Sequence, residues 1–219
     1  MSISSPIIPA IIPQSFADLV EQVQKIKGLP EVHIDVVDGV FTTTTSWPYS
    51  AGDDVTKALE LLSVFSLEVD LMVAKPIPAA QAWLKAGADQ LVFHIETISV
   101  DALKDFMQFC PVSVGVALNS ATPLTQLYPY LGLVDYVQCM GIATIGSQGQ
   151  PFDESVMARI AQLQKEFPNL LLSIDGSMNE TTIPKVMAMG VKRIIVGSAV
   201  MGVVEPKVAY SKLTALAKG

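Results

Sequence analysis

The sequence predicts a closed TIM (β/α)8 barrel, because eight short apolar runs alternate with amphipathic segments along its 219 residues. Strands that alternate with helices pair in parallel and are joined by right-handed crossovers. Eight such units in a chain of this length match a closed barrel better than an open sheet. No linker or low-complexity stretch divides the chain, so we expect one domain over residues 1–219.

The eight strands are predicted where β-branched and aliphatic residues form short runs between turn residues. In chain order they are residues 7–12, 32–37, 67–73, 91–96, 112–119, 136–142, 170–175 and 193–197. Apolar residues recur at helical spacing between them, for example in residues 16–27 and 155–167, and a last helix is predicted at 206–217. Gly28 and Gly190 are typical of helix ends.

The composition excludes several classes of partner. Net charge is −7 without a run of Lys or Arg, which argues against nucleic acid and membrane partners.

Only 16% of residues are charged, against about 25% in an average domain, so we expect part of the surface to be covered in a homo-oligomer. The two cysteines lack disulfide or metal spacing, and no signal peptide or membrane span is recognisable, so we expect a cytoplasmic protein.

The second predicted strand makes an unusual demand. Because side chains alternate across a strand, His33 and Asp35 share its enclosed face. Burying charge costs several kcal/mol unless the group is paired, hydrogen-bonded or bound to metal. A hydrogen-bonded His–Asp pair would satisfy this demand by itself, so the pair alone leaves a purely structural role open.

Polar side chains also lie on the enclosed face of other strands, near the carboxyl ends where barrel active sites are found. Several carboxylates that converge on a histidine would repel one another unless a cation were present, and a divalent metal is the simplest such cation. The polar residues on this face are Glu68, Asp70, His94, Glu96, Asn119, Gln138, Ser173 and Asp175. The apolar residues on the same face are Met72 and Met140, with Ala10 and Ile12 on the first strand.

The longest strand-to-helix loop, residues 40–54, follows the second strand. Long loops at this end of a barrel usually cover or line the site. A variable surface loop is the alternative.

In this order and spacing, the motifs resemble those of the ribulose-phosphate 3-epimerase family, in the ribulose-phosphate-binding barrel superfamily. The segments are PAII at 9–12, HIDVVDGVF at 33–41, VDLMV at 69–73, FHIE at 93–96, ALNSATPL at 117–124, IDG at 174–176 and VGSA at 196–199. The resemblance implies a cytoplasmic isomerase of the pentose phosphate pathway. Its substrate would be a phosphorylated sugar, either ribulose 5-phosphate, which it would convert to xylulose 5-phosphate, or a related sugar phosphate.

The resemblance also implies one divalent metal ion, held by His33, Asp35, Asp70 and Asp175, which stabilises an enediolate. Asp35 and Asp175 would be the catalytic pair on opposite faces of the substrate. One would remove the C3 proton and the other would return a proton from the far side. We expect His94 to brace neighbouring ligands.

Phosphate is expected at the ends of strands seven and eight, the usual barrel location. Backbone N–H groups of Gly176, Ser177, Gly197 and Ser198 would bind it, although such Gly-Ser pairs also occur in ordinary turns. The remaining predicted substrate contacts are Gly149, Met72 and Met140.

The sequence departs from the family pattern at five places. Ala10 replaces a Ser that touches substrate, Val37 replaces a Met near the metal, and Ser177 replaces a Gly. The loop at 140–150 lacks the family's Pro-Gly-Phe core. Asp70 replaces the second metal-binding His.

The change at Asp70 leaves one nitrogen and three carboxylate ligands. Family members use zinc, iron, cobalt or manganese, but an oxygen-rich site favours Mn²⁺ or Mg²⁺. We therefore expect a working but altered site. One alternative is a catalytically silent barrel that binds a sugar phosphate. Another is a decarboxylase or aldolase of the same superfamily, which is disfavoured because Lys75 lies too far along the third strand.

Overall fold

The computed structural model describes residues 5–218, which form a closed barrel of eight parallel strands. Strands pair in chain order, and β8 pairs with β1 to close the barrel. The predicted TIM barrel is therefore confirmed. Residues 1–4 and 219 of the predicted domain lie outside the described residues. The strands are β1 (Ile7–Ile11), β2 (Glu31–Val37), β3 (Ser66–Met72), β4 (Gln90–His94), β5 (Ser113–Leu118), β6 (Tyr136–Met140), β7 (Leu172–Asp175) and β8 (Arg193–Val196).

Helices surround the barrel on its outer side. They are α1 (Phe16–Ile26), α2 (Leu59–Leu62), α3 (Pro76–Lys85), α4 (Val100–Met107), α5 (Ser155–Glu166), α6 (Thr182–Ala188), α7 (Ser198–Met201) and α8 (Pro206–Leu216). Short 3-10 helices occur at Val55–Ala58, Leu124–Gln126 and Tyr128–Tyr130. Within residues 5–218 there is no helix with the length and apolarity to cross a membrane.

Helix α1 shows how the sequence specifies these outer elements. The Ser15 side chain accepts a hydrogen bond from the Asp18 backbone N–H, and Asp18 accepts one from the Gln14 N–H, so the first turn is capped. Leu19, Val23 and Ile26 are buried at helical spacing. The helix therefore packs one apolar face on the barrel.

All eight predicted strands are present, with ends that differ by at most two residues. The fourth strand ends early because a turn begins at its last residue, where the Thr97 N–H donates to the His94 carbonyl. Between β5 and β6 the crossover consists of 3-10 turns rather than an α-helix. Pro123 and Pro129 explain this, because proline removes a backbone donor and disrupts a helix interior.

The two faces of the barrel wall differ in polarity. Val32, Ile34 and Val36 are buried in the apolar layer beneath the helices, whereas His33 and Asp35 point into the barrel, as predicted. Bulky branched residues usually fill a TIM-barrel interior. Here many buried interior side chains are polar or charged, namely Glu31, His33, Asp35, Glu68, Asp70, Gln90, His94, Gln138, Ser173 and Arg193.

Candidate functional site

Four ionisable side chains converge inside the barrel near the carboxyl ends of the strands. His33 and Asp35 lie on β2, Asp70 on β3, and Asp175 is the last residue of β7. Asp35 and Asp70 are register partners, so their side chains are neighbours on the inner face. One potential ligand atom from each of the four residues lies within 4.8 Å of the others. The fold thus brings together the four residues predicted to bind metal.

The His33 ring is held at both nitrogens. Nδ1 lies 2.7 Å from Glu68 Oε1 and Nε2 lies 3.1 Å from Asp35 Oδ1. Burial by itself would lower the pKa of His33, but the hydrogen bonds to Asp35 and Glu68 outweigh it and raise the pKa well above its usual value. Two carboxylates therefore fix the orientation of the His33 ring.

Both oxygens of Asp70 accept hydrogen bonds. His94 Nε2 donates to Oδ1 at 3.1 Å and Gln138 Nε2 donates to Oδ2 at 2.7 Å. Burial lowers the pKa of His94, but Asp70 and Glu96 together raise it to about 9. The His94 ring also packs against Phe41, with centroids 5.3 Å apart. His94 thus braces Asp70, as expected.

Asp35 and Asp175 are carboxyl groups that lie close to each other and to Asp70. Burial raises the pKa of both carboxyl groups, and Asp175 is raised well above its usual value with a further contribution from Asp35. Asp35 and Asp70 are buried and Asp175 is partly buried. Three carboxylates in so small a volume repel one another unless a cation lies between them. One imidazole nitrogen and three carboxylate oxygens suit a divalent ion with a preference for oxygen. The residues present therefore fit a metal ion.

A cavity opens directly above this cluster. Asp35 and Asp175 line it, whereas His33 and Asp70 are fully buried. The cavity is also lined by all seven residues predicted to contact substrate or phosphate, namely Met72, Met140, Gly149, Gly176, Ser177, Gly197 and Ser198. Ala10, at the position of the family's Ser, is part of the same lining.

Backbone groups rather than cationic side chains form the side of the cavity beside β7 and β8. Gly176 has φ +109°, and a Cβ there would lie 2.9 Å from Ile142 side-chain atoms. The next residue, Ser177, has φ 58°. Neither Lys nor Arg is among the described residues that line the cavity. An anionic group here would depend on backbone N–H donors and hydroxyl groups.

Two loops meet beside the cavity. The loop at 140–150 supplies lining residues that include Gln148 and Gln150. Thr44, from the loop at 40–54, donates its hydroxyl to the Gly146 carbonyl at 2.5 Å. The loop at 40–54 therefore contacts the lining loop, whereas none of its own residues is among the described residues that line the cavity.

Sequence reasoning missed a second polar group in the barrel interior, closer to the amino ends of the strands. Arg193 and Tyr136 point inward from the first residues of β8 and β6 and contact Glu68. The alternation that identified Gln138 and Met140 also places Tyr136 on the inner face. Both residues lie at the amino ends of their strands, away from the carboxyl ends where barrel active sites gather.

Comparison with known proteins gives concordant results. Residues 6–201 match the model of the Ribulose-phosphate 3 epimerase family. The ribulose-phosphate 3-epimerase of Bacillus subtilis (strain 168) is 30% identical over 219 residues, covering 94% of this chain and 97% of the relative. The chloroplastic ribulose-5-phosphate-3-epimerase of Arabidopsis thaliana is 32% identical, covering 89% of this chain and 70% of the relative.

Among solved structures, the 3-keto-L-gulonate-6-phosphate decarboxylase of Vibrio cholerae matches with a TM-score of 0.73. The match covers 98% of this chain and 98% of that one at 15% sequence identity. At this identity the likeness concerns the fold alone.

Proposed function

We propose that this chain, which belongs to the ribulose-phosphate 3-epimerase family, interconverts ribulose 5-phosphate and xylulose 5-phosphate. It is an isomerase that acts on carbohydrates. One observation carries the assignment most directly. Asp35 and Asp175 approach one another from different strands, with potential ligand atoms within 4.8 Å, and both line the same cavity.

The two carboxyl groups supply what an epimerisation at C3 needs. Asp35 comes from β2 and Asp175 from β7, and β8 and β1 separate these strands in the barrel wall. A sugar carbon held between them has one carboxyl group on each side. One group removes the C3 proton and the other returns a proton from the opposite face, which inverts the configuration.

His33, Asp35, Asp70 and Asp175 would hold a divalent ion, which supplies positive charge to stabilise the enediolate as the proton leaves. With three carboxylate ligands, we propose a preference for Mn²⁺ or Mg²⁺ over Zn²⁺. Metal analysis of the purified protein tests this preference. Removal of the ion with a chelator should abolish turnover, and Mn²⁺ should restore it better than Zn²⁺.

The phosphate group of the substrate is assigned to the cavity wall beside β7 and β8. Backbone N–H groups at residues 176–177 and 197–198 would bind it, in the usual phosphate position of this fold. A decarboxylase or aldolase mechanism would need Lys75 in the cavity. Lys75 is instead exposed at the start of α3, which argues against that alternative.

Proton exchange provides the decisive test. Incubation of the metal-loaded protein with ribulose 5-phosphate in D₂O should place deuterium at C3 and yield xylulose 5-phosphate. Asp35→Asn and Asp175→Asn should each lower the rate by at least about a hundredfold, the order of loss expected for a general acid or base. Asp101→Asn changes an exposed carboxylate on α4 and is the matched control. No exchange with any divalent metal would contradict the proposal and favour a silent binding barrel.

We also propose that the protein is a cytoplasmic homo-oligomer. Charged residues are scarce for its length. Val204, just before α8, is 95% exposed, and Val208, within α8, is 63% exposed. Light scattering on the protein as it elutes from a size-exclusion column measures the mass of the assembly. A mass of one chain at micromolar concentration would contradict the oligomer.

A further inference from the structure

The barrel interior below the candidate metal centre holds a charged network that the proposed reaction does not use. Arg193 Nη2 donates to Glu31 Oε1 and to Glu68 Oε2, both at 2.8 Å. Tyr136 donates its hydroxyl to the same Glu68 oxygen at 2.5 Å. The Arg193, Glu31 and Glu68 side chains are at most 8% exposed.

Such a network is expensive as a purely structural device. Buried ion pairs often contribute no more to stability than apolar side chains of similar volume, because desolvation offsets the attraction. Bulky apolar residues are the usual solution in the interior of this fold. Stability alone therefore does not explain why charged side chains lie below the candidate active site, so they are candidates for a further role.

The contacts of Glu68 indicate what that role is. Arg193 and Tyr136 both bind Oε2, which leaves Oε1 to accept the hydrogen bond from His33 Nδ1 at 2.7 Å. With Nδ1 engaged as a donor, the other ring nitrogen, Nε2, faces Asp35 at 3.1 Å and Asp70 at 3.8 Å. In metal sites, a ligating histidine usually donates its second N–H to a carboxylate, which fixes both the tautomer and the ring orientation.

We propose that Arg193 and Tyr136 are positioning residues. By holding one oxygen of Glu68, they keep the other against His33 Nδ1 and so present Nε2 to the metal ion. The inference rests on the proposed function, since it requires that His33 binds metal. It adds a layer of residues whose effect reaches the metal only through Glu68 and His33.

Tyr136→Phe is the most informative variant, because it removes one hydroxyl group and keeps the ring that packs against Gly115. We expect Mn²⁺ to bind about tenfold more weakly, at the lower end of the 10–100-fold loss typical of outer partners. Arg193→Met should weaken binding further. Arg193→Lys, which keeps the charge, should restore part of the affinity. Competition with a chelator measures the dissociation constant of each variant for Mn²⁺.

A second readout follows the tautomer itself. The chain contains two histidines, so ¹⁵N-histidine labelling gives a simple spectrum. In the Zn²⁺-loaded protein, we expect His33 to be protonated at Nδ1 and metal-bound at Nε2. Tyr136→Phe should add signals of the other tautomer. A merely structural role would leave these signals unchanged.

Glu31→Gln is the matched control. It alters the partner of Arg193 that does not contact His33, and the contacts of Glu68 remain. It should lower the melting temperature while changing the dissociation constant for Mn²⁺ less than twofold. If Tyr136→Phe and Arg193→Met lower the melting temperature but leave metal affinity and the His33 signals unchanged, the positioning role is wrong and the proposed function stands. If the unaltered protein binds no divalent metal, both proposals fail.

Discussion

Asp70 is the candidate metal ligand at which the sequence departs from the histidine of the family pattern. Its two oxygens accept hydrogen bonds from His94 and Gln138. Hydrogen bonds to a ligating carboxylate orient it and are part of the design of a metal site. The surrounding residues therefore suit an aspartate here, and they account for an altered site better than for a lost one.

We predict that Asp70→His shifts the metal preference of the protein. An imidazole in place of a carboxylate makes the ligand set softer and favours Zn²⁺ over Mn²⁺. The ratio of Zn²⁺ to Mn²⁺ affinity should rise at least about tenfold, consistent with the loss of an oxygen ligand. Chelator competition measures both constants, and Asp89→Asn controls for the loss of one carboxylate remote from the site. An unchanged ratio would show that Asp70 is not a ligand.

Ser177 is a non-glycine residue with a left-handed backbone, at φ 58°. A side chain in this conformation costs about 1–2 kcal/mol, and the extra freedom of glycine in the unfolded chain returns about 0.5–1 kcal/mol. We predict that Ser177→Gly raises the free energy of unfolding by about 0.5–1 kcal/mol. Ser211→Gly within α8 should lower it by a similar amount. Urea denaturation measures both, and a loss of stability in Ser177→Gly would contradict the strain.

The sequence predicts the candidate metal ligands better than it predicts the network around Arg193. His33 and Asp35 lie on one strand, so alternation alone places them on the same face. Asp70 and Asp175 follow from the rule that barrel sites gather at the carboxyl ends of strands. The partnership of Arg193 with Glu68 spans 125 residues. Alternation predicts that each points inward, but only the closed barrel determines that they meet.

The elements around the site were predictable where a periodic pattern is long. The strands and the helices α1, α5 and α8 lie within two residues of their predicted bounds. The crossover between β5 and β6 was less predictable, because its prolines leave short 3-10 turns whose position depends on packing. Loop contacts such as that between Thr44 and Gly146 join distant segments and have no periodic signal.

The contact between the two loops gives a prediction at the scale of elements. Thr44→Val removes the hydroxyl that binds the Gly146 carbonyl and keeps the shape of the side chain. A hydrogen bond contributes about 1 kcal/mol, so amide exchange across residues 143–150 should become about fivefold faster. Thr43→Val, an exposed neighbour, is the control. Hydrogen exchange followed by mass spectrometry measures the rates, and equal rates in both variants would exclude the proposed restraint.

For the whole molecule, the buried histidines make the stability of the metal-free protein depend on pH. The pKa of His94 is raised to about 9 in the folded state by Asp70 and Glu96, against about 6.5 in the unfolded chain. Between these values the folded protein binds more protons than the unfolded chain. Its free energy of unfolding should therefore fall as pH rises from about 6.5 to 9, by up to about 1.4 kcal/mol per pH unit for one proton.

Urea denaturation of the metal-free protein at several pH values tests this dependence. The contribution of His94 is fully present below about pH 6.5, and His94→Asn should have a shallower slope above it. His33, whose pKa is also raised, should leave a residual slope of the same sign in the variant. Identical slopes in the two proteins would mean that His94 is not protonated in the fold.

Arg193 lies at the start of the last strand, whereas the carboxylates that it binds belong to β2 and β3. On the ribosome, Glu31 and Glu68 emerge long before their counter-charge is translated. Burial of these acids without a cation is costly. Both side chains are therefore expected to stay hydrated in the nascent chain until β8 has been synthesised. Closure of the barrel therefore requires the last eighth of the chain, since β8 begins at residue 193 of 219. A polypeptide released before that point would contain Glu31 and Glu68 without the cation that pairs with them.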